Sequence, residues 1–334
     1  IDVLIDRKTD TNIKMELKQS QSRGFDIIKI IAAIGILTSH CSLFVEYDIL
    51  YEIKNALFDV FIPLFFSISS FLFTKKMESL SANQRWPIMI EREKRLIVMF
   101  CIWYIMMLPV VYYKWFSIAT LKETIAAIFV GCTMGGYWFI KALIVNTVIV
   151  YLNIQYKWIR NWCVVLFGIY YVVTAYNYSY HFLSLSFSPY FSFVYHVIPF
   201  LIGMWAAKRD SYNLFNLTRS QNMLIFFILA FATIYIQAVA PIFKIASVIL
   251  ICSIVEQTEF PSSLPYRRMR QVSILIYMIQ FGVIFIYEFY QESLTLLNHS
   301  IVRSIICLLV SVLLSFMILR LSETQRFGNL KYLY

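Results

Sequence analysis

Long apolar runs, separated by short polar segments, extend along almost the whole chain. Windows of 15 to 21 apolar residues bounded by charged or turn residues match the length that an α-helix needs to cross a bilayer. The predicted spans cover residues 26–46, 55–74, 96–113, 137–153, 161–177, 191–206, 223–239, 242–256, 272–290 and 301–320. The pattern therefore predicts an all-α, polytopic transmembrane helix bundle of about ten spans.

Two stretches between these spans are predicted to lie at the outer face. Residues 114–136 include an apolar run, but this run carries Lys122 and Glu123 and is followed by two glycines. Making it an eleventh span would invert every later loop against the distribution of charge, so we expect a re-entrant or interfacial helix. Residues 178–189, rich in Tyr, Ser and Phe, are predicted to form an outer loop.

The Lys and Arg residues are distributed unevenly between alternate loops. With the amino terminus inside, 22 of the 29 fall in predicted cytoplasmic segments and five fall on the opposite side. This asymmetry predicts that both termini are cytoplasmic. We therefore divide the chain into a cytoplasmic segment 1–25, one transmembrane domain 26–320 and a cytoplasmic tail 321–334.

The composition supports a membrane protein. Hydrophobic residues make up 60% of the chain and charged residues 14%, and the mean hydropathy is +0.69. The net charge of +10 is the excess that cytoplasmic loops of membrane proteins carry, so no nucleic-acid partner is expected. The six cysteines have no paired spacing and predict neither disulfides nor a metal site. Residues 1–22 are polar and charged, so we expect no signal peptide and expect the first span to act as the insertion signal.

One ionisable residue lies inside the first apolar run. His40 is preceded by Lys29, eleven residues earlier on the same predicted helix. Ionisable side chains are costly in a bilayer, so an intramembrane His indicates chemistry more than packing. At about 1.5 Å per residue the two side chains lie about 16 Å apart along the helix axis, on one face.

These residues carry a resemblance to a known family. Asp26-x-x-Lys29, ten further residues and His40 resemble the R/K-x10-H motif of membrane acyltransferase family 3, the integral membrane O-acyltransferases that decorate bacterial polysaccharides. Residues 61–73 resemble the second helix of that family, with the pattern P-L-F-F-x-x-S-G-F.

Three later segments extend the resemblance in the order that the family shows. Arg92 and Arg95 match its cytoplasmic R-x-x-R element. Residues 137–143 resemble its L-W-F-L-x-A-L helix, and residues 273–280 resemble its late S-x-x-x-Y-x-x-H helix. Together these segments cover nearly the whole chain.

Three positions depart from the family pattern. Lys29 stands where Arg is commoner, which keeps the charge but removes the planar set of donors. Ser70 replaces the usual Gly, and Gln280 stands where the late helix often has His. We therefore expect Gln280 to line the pocket and do not assign it the role of the family's His.

The resemblance implies roles for several residues. Neutral imidazole suits removal of a proton from an acceptor hydroxyl, so His40 is the expected catalytic base. The implied donor is acetyl-CoA or a similar acyl-CoA, used as a co-substrate without a metal. Its phosphates are expected to bind a cytoplasmic cluster of cations, and weaker substrate contacts are expected at five further positions. The cations are Arg23, Lys29, Arg92 and Arg95, and the five positions are Asp26, Trp138, Lys141, Tyr277 and Gln280.

Alternative roles remain open for these residues. A hydrogen bond to a neighbouring helix would also explain His40. Anchoring at the inner surface of the membrane would also explain the cations. Asp26 also fits a favourable position at a helix N-terminus. Lys141 also suits a side chain that reaches the outer interface.

The expected protein is a multi-pass enzyme of the bacterial inner membrane. It would move an acetyl or other short acyl group to a hydroxyl of a cell-surface or exported polysaccharide, or of its lipid-linked precursor. One alternative is a small-molecule transporter, because some members of the family resemble amino-acid exporters attached to serine racemases. Another is an accessory protein of polysaccharide export that has no catalytic activity.

Overall fold

The computed structural model describes residues 23–107, 138–180, 196–236, 240–291, 299–324, 330 and 333–334. All longer elements within these ranges are α-helices, which confirms the predicted all-α class. The helices are α1 (23–40), α2 (Asp48–Phe58), α3 (Phe61–Glu78), α4 (Ala82–Met106), α5 (Trp138–Gln155), α6 (Lys157–Tyr180), α7 (Val197–Arg209), α8 (Arg219–Tyr235), α9 (Ala240–Glu256), α10 (Tyr266–Gln291) and α11 (Ser300–Ser322).

Four of these helices are long and apolar enough to cross a membrane by length and composition. They are the continuous α2–α3 unit Asp48–Glu78, α5 as a whole, Tyr266–Tyr290 of α10 and α11 as a whole. Shorter apolar helices occupy Asn161–Val173 and Arg219–Tyr235. The described residues therefore form a helical membrane protein, while the predicted number of ten spans stays a prediction.

The helices differ from the predicted spans at several boundaries. The first span was expected to reach residue 46, but α1 ends at residue 40 and a turn occupies 41–46. The predicted cytoplasmic loop 75–95 is largely helical, because α4 begins at Ala82 behind a capping box formed by Ser81 and Gln84. A hydropathy pattern identifies long apolar runs, so it does not detect a helix whose first turns are polar.

Some predictions fall outside the described residues. The re-entrant segment predicted at 114–136 and most of the outer loop predicted at 178–189 lie there, as does the amino-terminal segment up to residue 22.

Contacts between distant residues define two ends of the bundle. The basic end is joined by Asp26–Arg270, Lys75–Asp210, Arg268–Glu323 and a hydrogen bond from Arg95 to Tyr334. The His40 end is joined by Lys244–Asp59, Arg303–Glu288 and a hydrogen bond from Ser300 to Glu46. Helix α1 begins at the basic end and ends at the His40 end.

Small residues allow α3 and α7 to pack closely. A Cβ atom added at Gly203 of α7 would lie 2.0 Å from the main-chain oxygen of Ser67 in α3. Next to this contact the hydroxyl groups of Ser67 and Tyr212 are 3.0 Å apart and hydrogen-bonded. Close approach at small residues is a common way to join helices in a membrane. The α3–α7 pair therefore forms a rigid wall beside α1.

Candidate functional site

At the basic end, α1 begins with a buried carboxylate that a distant arginine neutralises. Asp26 is 2% exposed, and its Oδ1 lies 3.0 Å from Nε of Arg270 at the start of α10. Nη2 of Arg270 donates to Oδ2 at 3.1 Å. One charge-assisted hydrogen bond and a second close N–O contact make this a strong Arg–carboxylate pair. Asp26 is therefore a structural anchor between α1 and α10.

Lys29 lies one turn further into the bundle, beside this pair. Its side chain is 8% exposed, and it interacts electrostatically with Asp26, Arg270 and Arg92. The cluster holds three cations, and its carboxylates are Asp26 and, beside Arg92, Glu93. The three cations outnumber these two carboxylates, so net positive charge remains available to an anion.

Arg92 and Glu93 form the wall of this cluster on α4, ahead of the predicted span 96–113. The guanidinium of Arg92 stacks 4.6 Å from the ring of Phe73. Burial lowers the pKa of Arg92 to about 10 and raises the pKa of Glu93 to about 7. Arg92 Nε and both carboxylate oxygens of Glu93 have no hydrogen-bond partner within the described part of the chain. Leaving buried polar atoms without hydrogen bonds costs free energy, so the site is suited to a polar ligand or water.

The other two predicted cations lie at the same end and are not among the charges that act on Lys29, although Arg95 acts on Arg92. The guanidinium of Arg23 lies 5.9 Å from the ring of Tyr266. Arg95 is exposed and donates a 2.7 Å hydrogen bond to the main-chain oxygen of Tyr334. Two turns further along α4, Trp103 donates to the main-chain oxygen of Leu333 at 2.9 Å. The carboxyl-terminal residues therefore contact α4 beside the cation cluster.

His40 is the last residue of α1, at the opposite end of that helix. Its side chain is exposed, and its ring centroid lies 4.8 Å from that of Phe281 in α10. The main-chain oxygen of His40 accepts a 3.4 Å hydrogen bond from Nη2 of Arg303 in α11. The imidazole interacts electrostatically with Lys54 of α2. His40 is thus accessible at a helix end, whereas the sequence pattern placed it within a longer helix.

An aromatic layer lies between the two ends of the bundle. Phe139 of α5 and Tyr277 of α10 have ring centroids 4.8 Å apart. Trp138 stacks on His196 at 5.0 Å, and Lys141 lies 5.9 Å from the ring of Phe100. Trp138 and Tyr277 are therefore packed residues that border the interior.

Two amide side chains inside the bundle are completely buried. Both amide atoms of Asn146 in α5 and both of Gln280 in α10 have no hydrogen-bond partner among the residues that the structure describes. Each such atom costs about 1–3 kcal/mol when it is left unsatisfied. These amides match a ligand that carries amide or carbonyl groups.

The sequence did not single out four residues that the structure places at these sites. Arg270 was counted as a loop charge, Glu93 and Arg303 carried no motif, and Lys54 was assigned to an outer loop. The spacing of Asp26 and Lys29 on one helix indicates that a charged partner is needed, but it does not identify Arg270.

Comparison with known proteins adds an independent observation. A family model described as an acyltransferase domain matches residues 22–320, almost the whole chain. No curated protein and no solved structure gives a significant match. The matched range includes α1 with Lys29 and His40, the α4 cations and both helices of the aromatic layer. This membrane protein therefore belongs to acyltransferase family 3.

Proposed function

We propose that the protein transfers an acetyl or other short acyl group from acyl-CoA to a hydroxyl of a cell-surface or exported polysaccharide, or of its lipid-linked precursor. The observation that carries this proposal is the arrangement of α1. The helix has a buried cation cluster with Lys29 and Arg92 at one end and the accessible imidazole of His40 at the other. An extended donor with a charged head and a reactive tip fits this separation.

The cation cluster is suited to the phosphates of CoA. Arg92 combines a buried Nε without a partner within the described ranges and a guanidinium that lies over the ring of Phe73. A planar guanidinium binds phosphate through parallel hydrogen bonds. Arg95 is the weaker candidate, because its guanidinium already donates to Tyr334 and the tail would have to move.

The pantetheine arm carries amides, and the bundle interior offers amides to bind it. Asn146 and Gln280 are buried on two different helices, and their polar atoms are without partners in the described part of the bundle. A ligand amide would satisfy both a donor and an acceptor of each side chain. This is how we propose that Gln280 contributes, in place of the His that the family often has.

His40 is the proposed catalytic base. The imidazole takes the proton of the acceptor hydroxyl while the hydroxyl oxygen bonds to the thioester carbonyl carbon. The C–S bond then breaks, CoA leaves as a thiolate, and the proton held by His40 completes the thiol. The transfer is direct and needs no acyl-enzyme intermediate.

The proposed orientation of the protein in the membrane follows from the location of the acyl donor. Acyl-CoA is a cytoplasmic metabolite, so the basic end and both termini face the cytoplasm, in agreement with the positive charge of that end. The His40 end then faces outwards, where an exported glycan is found. We place the protein in the bacterial inner membrane on this basis.

The test is an acyl-transfer assay with purified protein in nanodiscs. Wild type, His40→Ala and the matched control His299→Ala are incubated with radiolabelled acetyl-CoA and glycan extracts, and both released CoA and labelled glycan are measured. We expect transfer by wild type and His299→Ala and at least a hundredfold loss in His40→Ala. Full transfer by a folded His40→Ala protein contradicts the mechanism. If the wild-type protein transfers no acyl group, the transporter alternative is favoured over the proposed enzyme.

A further inference from the structure

The turn that follows His40 has an unfavourable backbone. Residues 41–46 connect α1 to α2, and Ser42 and Phe44 have φ values of 56° and 64°. The left-handed region is disfavoured for residues with a side chain, and it is rare for a bulky residue such as Phe. Strained conformations of this kind persist only where the surroundings hold them.

Helix α11 provides contacts that hold the turn. The amide of Ser300 donates to Oε1 of Glu46 at 2.6 Å, and the Ser300 hydroxyl donates to the second oxygen of the same carboxylate. The amide of Phe44 donates to Oγ of Ser300 at 3.1 Å. Because Ser300 is the first residue of α11, the carboxylate of Glu46 also faces the positive end of that helix.

One turn further along α11, Arg303 reaches His40 itself. Its Nη2 donates to the main-chain oxygen of His40 at 3.4 Å and lies 3.3 Å from Oε1 of Glu288 in α10. A further turn along, the side chain of Cys307 lies beside that of Cys41. Three successive turns of α11 therefore contact the end of α1 and the turn behind it.

We propose that Glu46 and Arg303 are positioning residues for His40. Together with Ser300 and Glu288 they form an outer clasp that sets where α1 ends and holds the imidazole against Phe281. This inference rests on the proposed function, in which His40 is the base. A base contributes fully only when it is held at hydrogen-bond distance from its proton.

The clasp is separate from the cation cluster, which lies at the other end of α1. Loss of the clasp should therefore lower the rate of the chemical step and leave donor binding unchanged. A general loss of folding would lower both, so the comparison of the two quantities identifies a positioning role.

The experiment compares Glu46→Ala, Glu46→Gln and Arg303→Ala with the control Asp48→Ala, which removes another exposed carboxylate at the same end. Three quantities are measured: kcat for acyl transfer, Kd for acyl-CoA, and hydrogen exchange of the peptide amides at 38–46. We expect Glu46→Ala and Arg303→Ala to lower kcat at least tenfold with Kd unchanged and faster exchange at 38–46. Glu46→Gln keeps an acceptor oxygen and should recover most of the rate, and Asp48→Ala should behave as wild type.

Hydrogen exchange makes the test independent of catalysis. Unchanged exchange in Glu46→Ala overturns the clasp whether or not the protein transfers acyl groups. Faster exchange with wild-type kcat overturns the positioning role while the proposed function stands. Lack of transfer by wild type, with faster exchange in the variant, leaves a structural clasp and overturns its catalytic part together with the proposed function.

Discussion

Arg270 and Asp26 are 244 residues apart in the chain and form a hydrogen-bonded ion pair at the start of α1. The carboxylate is almost completely buried, while about half of the arginine side chain is exposed. The pair joins the first helix to α10, and Lys29 lies beside it and interacts with both of its charges. The electrostatic character of the basic end therefore depends on this contact.

Arg270→Ala should destabilise the protein, because it leaves the Asp26 carboxylate buried without its partner. We expect a loss of about 1.5–3 kcal/mol, the range for hydrogen bonds to charged groups. Thermal unfolding in detergent measures it. Arg268→Ala is the control, since its partner Glu323 is exposed. Adding Asp26→Asn should restore part of the stability, and failure of that second change to help would contradict the explanation.

Arg92→Ala should weaken binding of acyl-CoA. The loss should be about 1.5–3 kcal/mol, because a hydrogen bond to a phosphate is removed. Isothermal calorimetry with CoA in nanodiscs measures the change, and Lys94→Ala, an exposed neighbour on the same helix, is the control. Equal CoA affinity in wild type and Arg92→Ala would assign Arg92 to anchoring at the membrane surface.

Because of Glu93, the free energy of unfolding should depend on pH. Burial raises its pKa from 4.5 to about 7 in the folded protein, so the native state holds the proton more tightly than the unfolded chain. The stabilisation by the protonated acid is complete below about pH 4.5 and is lost as the pH rises through about 7. Glu93→Gln should therefore be more stable than wild type at pH 8, by on the order of 2–3 kcal/mol, and nearly equal at pH 5.

Unfolding of wild type and Glu93→Gln at the two pH values measures this difference. Glu91→Gln, which changes an exposed carboxylate on the same helix, should show no such dependence on pH. The same stability difference at pH 5 and pH 8 would mean that packing, and not protonation, distinguishes the two proteins.

The proposed orientation can be tested by cysteine labelling in intact cells. After removal of the six native cysteines, single cysteines are placed at Ser79 of the basic end or at Asp48 of the His40 end, both exposed. A membrane-impermeant maleimide added outside should modify position 48 and spare position 79. The reverse pattern would place the donor site outside the cell and exclude the proposed supply of acyl-CoA.

Hydropathy and charge were sufficient for the helical class and for the approximate positions of most helices. They failed where a boundary depends on a distant contact. The end of α1 at residue 40 coincides with hydrogen bonds from Ser300 to Glu46 and from Arg303 to His40, and no local pattern encodes those partners. Residues 55–74 were predicted as one span and do lie within the single apolar segment Asp48–Glu78, but the pattern did not indicate the turn at 59–60, beside the ion pair of Asp59 with Lys244.

Only part of the candidate site could be predicted, because local sequence patterns do not encode contacts between distant residues. Spacing on one helix placed Lys29 and His40 at a defined separation, and the acyltransferase match over 22–320 agrees with the motifs that contain them. The residues that complete both ends, Arg270 and Arg303, come from helices that meet α1 only in three dimensions. A single sequence lacks the information to pair them.

The contacts of Leu333 and Tyr334 with α4 bear on how the protein should be handled. Their main-chain oxygens accept hydrogen bonds from Trp103 and Arg95, so residue 334 lies directly against the helix that carries the proposed donor cations. An affinity tag or fluorescent reporter attached at residues 333–334 would be held beside that helix and would compete with the proposed CoA donor for space. Labels for donor-affinity measurements should therefore be placed elsewhere in the chain.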